Sequence, residues 1–190
     1  MTVAIVASVL LALLAGLLAS VDAERAATLN SSAKDLAEHR FVVDALRSAL
    51  APLCTRLDVP DAPSIVGTSS MWHLGTPIVG ELADPSTTAL DLAIAVHPTP
   101  AVCGTPTDAA RRLIAGIEGD RGFYAGAVGW SDAGGDGDWM VTIRCVEIDA
   151  DRAGAVAWAG GGLVADSEPD DEVAETGAKL RTVLRAVGAA

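Results

Sequence analysis

In the stretch ETGAKL, Glu175 and Lys179 stand one helical turn apart, and Lys179 is one of only two lysines in a chain of net charge −12. Glu172 precedes them. Spacings of three, four and seven gather Glu172, Glu175 and Lys179 on one side of a helix. Two kinds of chemistry suit that grouping. One is an i,i+4 surface ion pair contributing a few tenths of a kcal/mol. The other is the carboxylate part of a hard-cation site, because Mg²⁺ takes one or two protein carboxylates together with water and an anionic substrate group. A second acid bears on the choice. Glu38 falls on the helical stripe of Val42, Ala45 and Ala49, with Phe41 and Leu46 on its flanks. Such a stripe should meet the core. A lone carboxylate there costs several kcal/mol unless it is paired, protonated or bound to metal. A cation shared by Glu38 and Glu175 resolves that cost, with Lys179 steadying Glu175 or meeting the same substrate. Composition does not choose between the surface pair and the shared cation.

Other residues invite a similar weighing. Gly160, Gly161 and Gly162 follow the strand-like GAVAW. Three glycines at a strand end serve either a bend or a close backbone approach to a ligand, whose negative charge would meet bare N–H groups. Arg144 interrupts the apolar strand MVTIRCV. It suits an ion pair or the bidentate grip of a carboxylate. Taken alone, Tyr124 reads as an ordinary strand aromatic, His73 as a core or surface histidine, and His97, before Pro98, as structural.

Helices and strands must position these residues. A helix is expected from about Ser32 to Leu53, capped by Ser31 or Ser32 and bracketed by Pro52 and Pro60. SIVG and MWHLGTPIVGEL read as strands, TTALDLAIAV as a short helix and HPTPAVCGTP as an irregular loop. PTDAARRLIAGIEG reads as a helix with Pro106 in its first turn and Gly119 near its end. GFYAGAVGW, DWMVTIRCVEI and GAVAWAGGGLVA read as three further strands, with SDAGGDGD as a hairpin connection. A last helix starts near Ser167 and ends with Arg181, Arg185 and Gly188. On it Val173, Leu180, Leu184 and Val187 are expected to form the apolar stripe, with the acids and Lys179 at its edge. Strand runs and helix runs segregate, so the fold class is α+β: an antiparallel β-sheet meander flanked by helices.

The 190 residues suffice for one domain or a piece of a larger one, and half of them are hydrophobic. The acidic balance argues against nucleic acid as a partner. Any anionic ligand must therefore be held by local positive groups or a metal. Cys54, Cys103 and Cys145 form no zinc pattern and read as reduced thiols of a cytosolic protein. Val3 to Ser20 is an uncharged run of 18 residues with no Lys or Arg before Arg25. That length reaches the lower limit for a membrane span. The favoured alternatives are a buried strand or helix, or a misread start.

These features line up with one family. The motifs SAKDLAEH, MWHLGTPIVGEL, HPTPAVCGTP, RGFYAGAVGW, GDGDWMVTIRC and AGGGLVADSEPDDEVAETGAKL run in order from Ser32 to about Gly188. On them the chain resembles the carboxy-terminal part of a chorismate-utilising enzyme, most closely an isochorismate synthase. The resemblance implies part of the anthranilate/isochorismate synthase-like, chorismate-binding fold over residues 25–190, with residues 1–24 as an apolar segment. LAG at Leu14 to Gly16 is similar to a family strand at the expected distance before SAKD. The implied reaction is Mg²⁺-dependent isomerisation of chorismate to isochorismate, in which water adds at C2 and the C4 hydroxyl leaves. Isochorismate feeds siderophore, menaquinone or salicylate pathways in the family.

By the same resemblance Glu38 and Glu175 ligate Mg²⁺, and Glu172 contributes through water. Lys179 lies near the metal-held carboxylate. Arg144 and Tyr124 grip the enolpyruvyl carboxylate, Gly160 and Gly162 line the pocket, His73 faces the ring, and Ala101 falls where the family discriminates between outcomes. Family members supply a general-base lysine and a general-acid glutamate further upstream. Here no lysine precedes Lys34 and no Asp or Glu precedes Asp22. The chain alone is therefore expected to be a poor catalyst. The alternatives are a non-catalytic Mg²⁺- and anion-binding remnant, an anthranilate, aminodeoxychorismate or salicylate synthase, and a membrane-tethered protein. The expected compartment is the cytoplasm, and the expected state is a monomer or self-association through an exposed sheet edge.

Overall fold

The computed structural model describes residues 31–67, 72–165 and 167–188 and the backbone of one strand, Ile5–Ala7 (β1). The first helix, α1, is Ala33–Leu50. The Ser32 hydroxyl accepts from the Asp35 amide at 3.2 Å, which satisfies one of the amides a helix start leaves open. A 3₁₀ turn, Ala51–Leu53, with Pro52 in it, ends the run. Strands β2 (Cys54–Asp58), β3 (Ser64–Gly67), β4 (Trp72–Gly75) and β5 (Ile78–Leu82) follow. Helix α2 is Ala89–Val96, opened by a capping box between Thr88 and Asp91. Helix α3 is Thr107–Ile117. Then come β6 (Ala127–Ser131), β7 (Gly137–Val141), β8 (Val146–Ile148) and β9 (Ala155–Ala157), and finally α4, Pro169–Ala186.

All described strand pairs are antiparallel. β5 lies between β1 and β2, while β3–β4, β6–β7 and β8–β9 are two-stranded ribbons. The α+β expectation holds, but the meander is broken into separate ribbons. Two long strands of the sequence reading are each divided. MWHLGTPIVGEL splits at Thr76–Pro77 into β4 and β5, which belong to different sheets. Proline has no amide to give to a ladder, so the pairing stops there. DWMVTIRCVEI splits at Thr142–Cys145, because Arg144 adopts φ 54°, a left-handed conformation no strand accommodates.

The core sits where α1 crosses the β2–β5 sheet and α2. Val42, Leu46, Leu50, Ile78 and Leu92 form its buried cluster, with Leu53, Leu57, Val59, Leu82, Val96 and Ala101 packed against it. Each fully buried aliphatic side chain there contributes roughly 1.5–3 kcal/mol. Phe41, expected on the flank of the buried stripe, is half exposed, and His39 takes the inward place. Of the apolar amino-terminal run, only β1 falls among the described residues. No helix among them is long and apolar enough to cross a membrane.

Candidate functional site

Helix α4 turns its charges inward. Glu172 and Lys179 are buried beside Val183, whereas Val173 is 73% exposed and Val187 is also exposed. Of the expected apolar stripe, Leu180 and Leu184 are half-buried, while Val173 and Val187 face out. The charges can be buried because each meets a partner. Lys179 Nζ lies 2.6 Å from Glu175 Oε1 and donates to the Gly160 carbonyl at 2.9 Å. Glu172 Oε1 accepts from Lys34 Nζ, on α1, at 2.9 Å. Lys34 Nζ is also 3.8 Å from Glu38 Oε1, one turn further along α1. Both lysines of the chain thus stand among Glu38, Glu172 and Glu175.

The loop after β9 closes over these acids. A Cβ on Gly161 would lie 3.2 Å from Glu172 Oε2 and 3.9 Å from both Glu175 Oε1 and Lys179 Nζ. A Cβ on Gly162 would lie 3.8 Å from Glu38 Oε2. The glycines therefore let backbone approach the carboxylates of two helices at once.

The two acids that share Lys34 differ. Burial, reinforced by Glu175, Asp35 and Glu172, raises the Glu38 carboxyl above its ordinary value despite Lys34. Its Oε1 is buried and has no hydrogen-bond partner. Burial also acts to raise Glu172, but the hydrogen bonds from Lys34 and Ser167 outweigh it, and its carboxyl is held below the ordinary value. The hydrogen bond to Glu172 in turn lifts the Lys34 ammonium above its ordinary value, against the effect of its own burial. Next along α1, the buried His39 shares a 2.7 Å hydrogen bond with Thr76 at the β4–β5 corner, which fixes the face that α1 turns inward.

Two further groups belong to the predicted set. Tyr124 lies in a turn, not in the strand expected for it; its ring stacks on Trp158 at 5.9 Å, and the Arg121 guanidinium sits 5.6 Å from the ring centre. A Cβ on Gly160 would be 2.5 Å from the Tyr124 hydroxyl, so this position admits only glycine as the structure stands. Tyr124, Gly160, Lys179, Glu175, Glu172, Gly162 and Glu38 therefore form one connected set. Arg144 occupies the bend between β7 and β8, and its Nε is buried with no hydrogen-bond partner. Burial lowers its guanidinium from the usual value. Burial, and secondarily the charge of Arg144, lowers the imidazole of the buried His73 on β4. Ala101 is half-buried and packs against the hydrophobic core. The three cysteines are free and half-buried.

Sequence reasoning assigned no role to Lys34, Trp158 or His39. For Lys34 a signal existed: it stands four residues from Glu38, the same spacing that joins Lys179 to Glu175.

The oxygen-rich set has the donor chemistry of a Mg²⁺ site, and the unpartnered Glu38 Oε1 is an acceptor that a hard cation would satisfy. Among the described residues, no group of three or more His, Cys, Asp or Glu side chains is arranged to hold a metal ion as the side chains stand. Lys34 stands between Glu38 and Glu172.

Comparison with known proteins gives the family. The family model described as "Chorismate binding enzyme" matches residues 13–188. The chain belongs to the chorismate binding enzyme family. Within that family it is 59% identical to isochorismate synthase DhbC of Bacillus subtilis over 168 residues, covering 88% of this chain and 42% of that protein. The crystal structure of DhbC from Bacillus anthracis superposes with TM-score 0.78 at 50% identity, over 88% of this chain and 44% of that one. Anthranilate synthase component I of Streptococcus pneumoniae, from another branch, gives 0.67 at 30% identity over 83% and 36%. The chorismate binding fold is thus shared across branches, and the chain spans less than half the length of these relatives.

Proposed function

We propose that the chain is a carboxy-terminal, chorismate-binding portion of an isochorismate synthase, extending over about residues 25–190 and working in the cytosol. The observation that carries the proposal is the convergence of Glu38 from α1 with Glu172 and Glu175 from α4 under the Gly160–Gly162 loop. The convergence occurs in a chain whose relative DhbC is named an isochorismate synthase. Glu38 and Glu175 would hold Mg²⁺, with Glu172 contributing through water. The ion would neutralise a carboxylate of chorismate and fix the ring.

The chain's own residues then bind and orient. Lys179, held by Glu175 and the Gly160 carbonyl, borders the metal-held carboxylate. Arg144, with its buried and unpartnered Nε, and Tyr124 take the enolpyruvyl carboxylate. The backbone of Gly160 and Gly162 lines the pocket. His73, kept neutral by burial, faces the ring. Ala101 acts on the choice of outcome from behind, through the core. The reaction needs a base to take a proton from the attacking water and an acid to protonate the departing C4 hydroxyl. Lys179 is held by Glu175 and the Gly160 carbonyl, and Lys34 lies among the metal-binding acids, so neither is assigned as that base. Each such group contributes roughly 10²–10⁴-fold. The chain alone should therefore bind chorismate with Mg²⁺ and turn it over slowly. The product would serve siderophore, menaquinone or salicylate synthesis.

Calorimetry with MgCl₂ and chorismate tests binding, and chromatographic detection of isochorismate tests turnover. Metal-dependent chorismate binding that disappears in Glu175→Gln supports the assignment. Chorismate binding indifferent to both Mg²⁺ and Glu175 overturns it. Binding without any turnover, even when the remaining length of a DhbC relative is supplied as a second polypeptide, favours a non-catalytic Mg²⁺- and anion-binding protein.

A further inference from the structure

Lys34 occupies an unusual place. It is the only cation that joins the carboxylates of α1 to those of α4: its Nζ is 2.9 Å from Glu172 and 3.8 Å from Glu38 among the described ion pairs. Its charge is felt by both acids, and it feels Glu175 as well. The contact with Glu38 is a charge contact only, since Glu38 Oε1 receives no hydrogen bond. The side chain is 41% exposed, so it has room to swing toward solvent. Lys179, by contrast, is 7% exposed and fixed by the Gly160 carbonyl.

From this geometry we infer that Lys34 is a displaceable counter-cation that sets how tightly the carboxylate site takes Mg²⁺. The inference rests on the metal reading given above. Lys34 pulls Glu172 toward α1 and neutralises part of the repulsion among Glu38, Glu172 and Glu175. A divalent ion entering between the same carboxylates competes with the ammonium, which leaves on its flexible stem. Lys34 is a positioning residue in this account: it holds the two helices in register for the ion and lowers its affinity at the same time.

Removing the charge should separate these two effects. In Lys34→Gln without divalent ions, the three acids repel, so the melting temperature falls at low salt and partly recovers in high NaCl. The same variant should bind MgCl₂ about 2- to 5-fold more tightly by calorimetry, the factor corresponding to loss of one competing ion pair. Lys34→Arg, which keeps the charge, should bind close to the unmodified chain. A measurement on the unmodified chain covers the case in which Lys34→Gln does not fold. Acetylation by an amine-reactive reagent, read by mass spectrometry, reports each of the two lysines separately, and Lys34 should become more reactive when MgCl₂ is added. Unchanged or weaker Mg²⁺ binding in Lys34→Gln, or Lys34 reactivity that does not rise with MgCl₂, overturns the inference while leaving the metal site standing. Failure of the unmodified chain, Lys34→Gln and Lys34→Arg alike to bind Mg²⁺ removes the metal reading and this inference with it.

Discussion

Glu38 is the residue where stability and function part. Its carboxyl is raised by burial, and its inward oxygen has no hydrogen-bond partner, so the ionised form is a cost to the fold. Glu38→Gln should therefore melt higher than the unmodified chain without divalent ions and lose its response to MgCl₂. Differential scanning calorimetry with and without the salt checks both halves.

The histidines supply a pH dependence at the same scale. Burial lowers His39, His73 and His97 from the ordinary value of 6.5. In each case the unfolded chain takes up a proton before the folded one does. Their contribution is therefore present above about pH 6.5 and is lost as pH falls through the lower folded values. Glu38, raised above 4.5, acts in the opposite direction and offsets part of the loss. Melting temperature should fall as pH is lowered from 7 through the histidine range. A flat profile would contradict the burial of the imidazoles. At this scale the inward aim of Glu38 and the cluster of Glu172, Glu175 and Lys179 were legible from spacing. The role of Lys34 was not, because its partner Glu172 lies 138 residues away.

Elements carry the site as rigid supports. α1 is held by Val42, Leu46 and Leu50 against β5 and α2, with the His39–Thr76 hydrogen bond setting its rotation. Leu46→Ala should cost about 2–5 kcal/mol, read from denaturant unfolding, because the residue is almost fully buried in a close-packed cluster. α4 behaves differently. Its inward face carries the buried Glu172 and Lys179 beside the half-buried Leu180 and Leu184, while Val173 and Val187 face out, so periodicity placed only part of the stripe. Hydropathy counts a buried ion pair as surface, and only the partners on α1 and in the glycine loop bring those charges inward. The loop has its own constraint. Gly160→Ala would place a methyl group on the Tyr124 hydroxyl and should displace the ring from Trp158, which near-ultraviolet circular dichroism would register.

The whole molecule leaves much apolar surface uncovered among its described residues. On β6–β7, Val128 pairs with Met140, and Trp130 follows two residues along on the same face; all three are more than half exposed. Phe123, Leu163 and Val173 add to it. Patches of this kind drive association. The purified chain should self-associate at micromolar concentration, and Val128→Ser with Met140→Ser should shift it toward monomer in light scattering. A monodisperse monomer before substitution would refute that expectation. The relatives, more than twice as long over a shared fold, are consistent with such a face being covered in the longer proteins.

The sequence by itself determined the helices, the α+β class and the candidate acids, because these depend on local spacing, caps and hydropathy period. The order of the six motifs carried the family. Where the strands break, which face of α4 turns inward and which cation joins the carboxylates were decided by the tertiary structure alone. Each of those depends on a partner far along the chain, or on a backbone conformation such as that of Arg144, that no local pattern encodes.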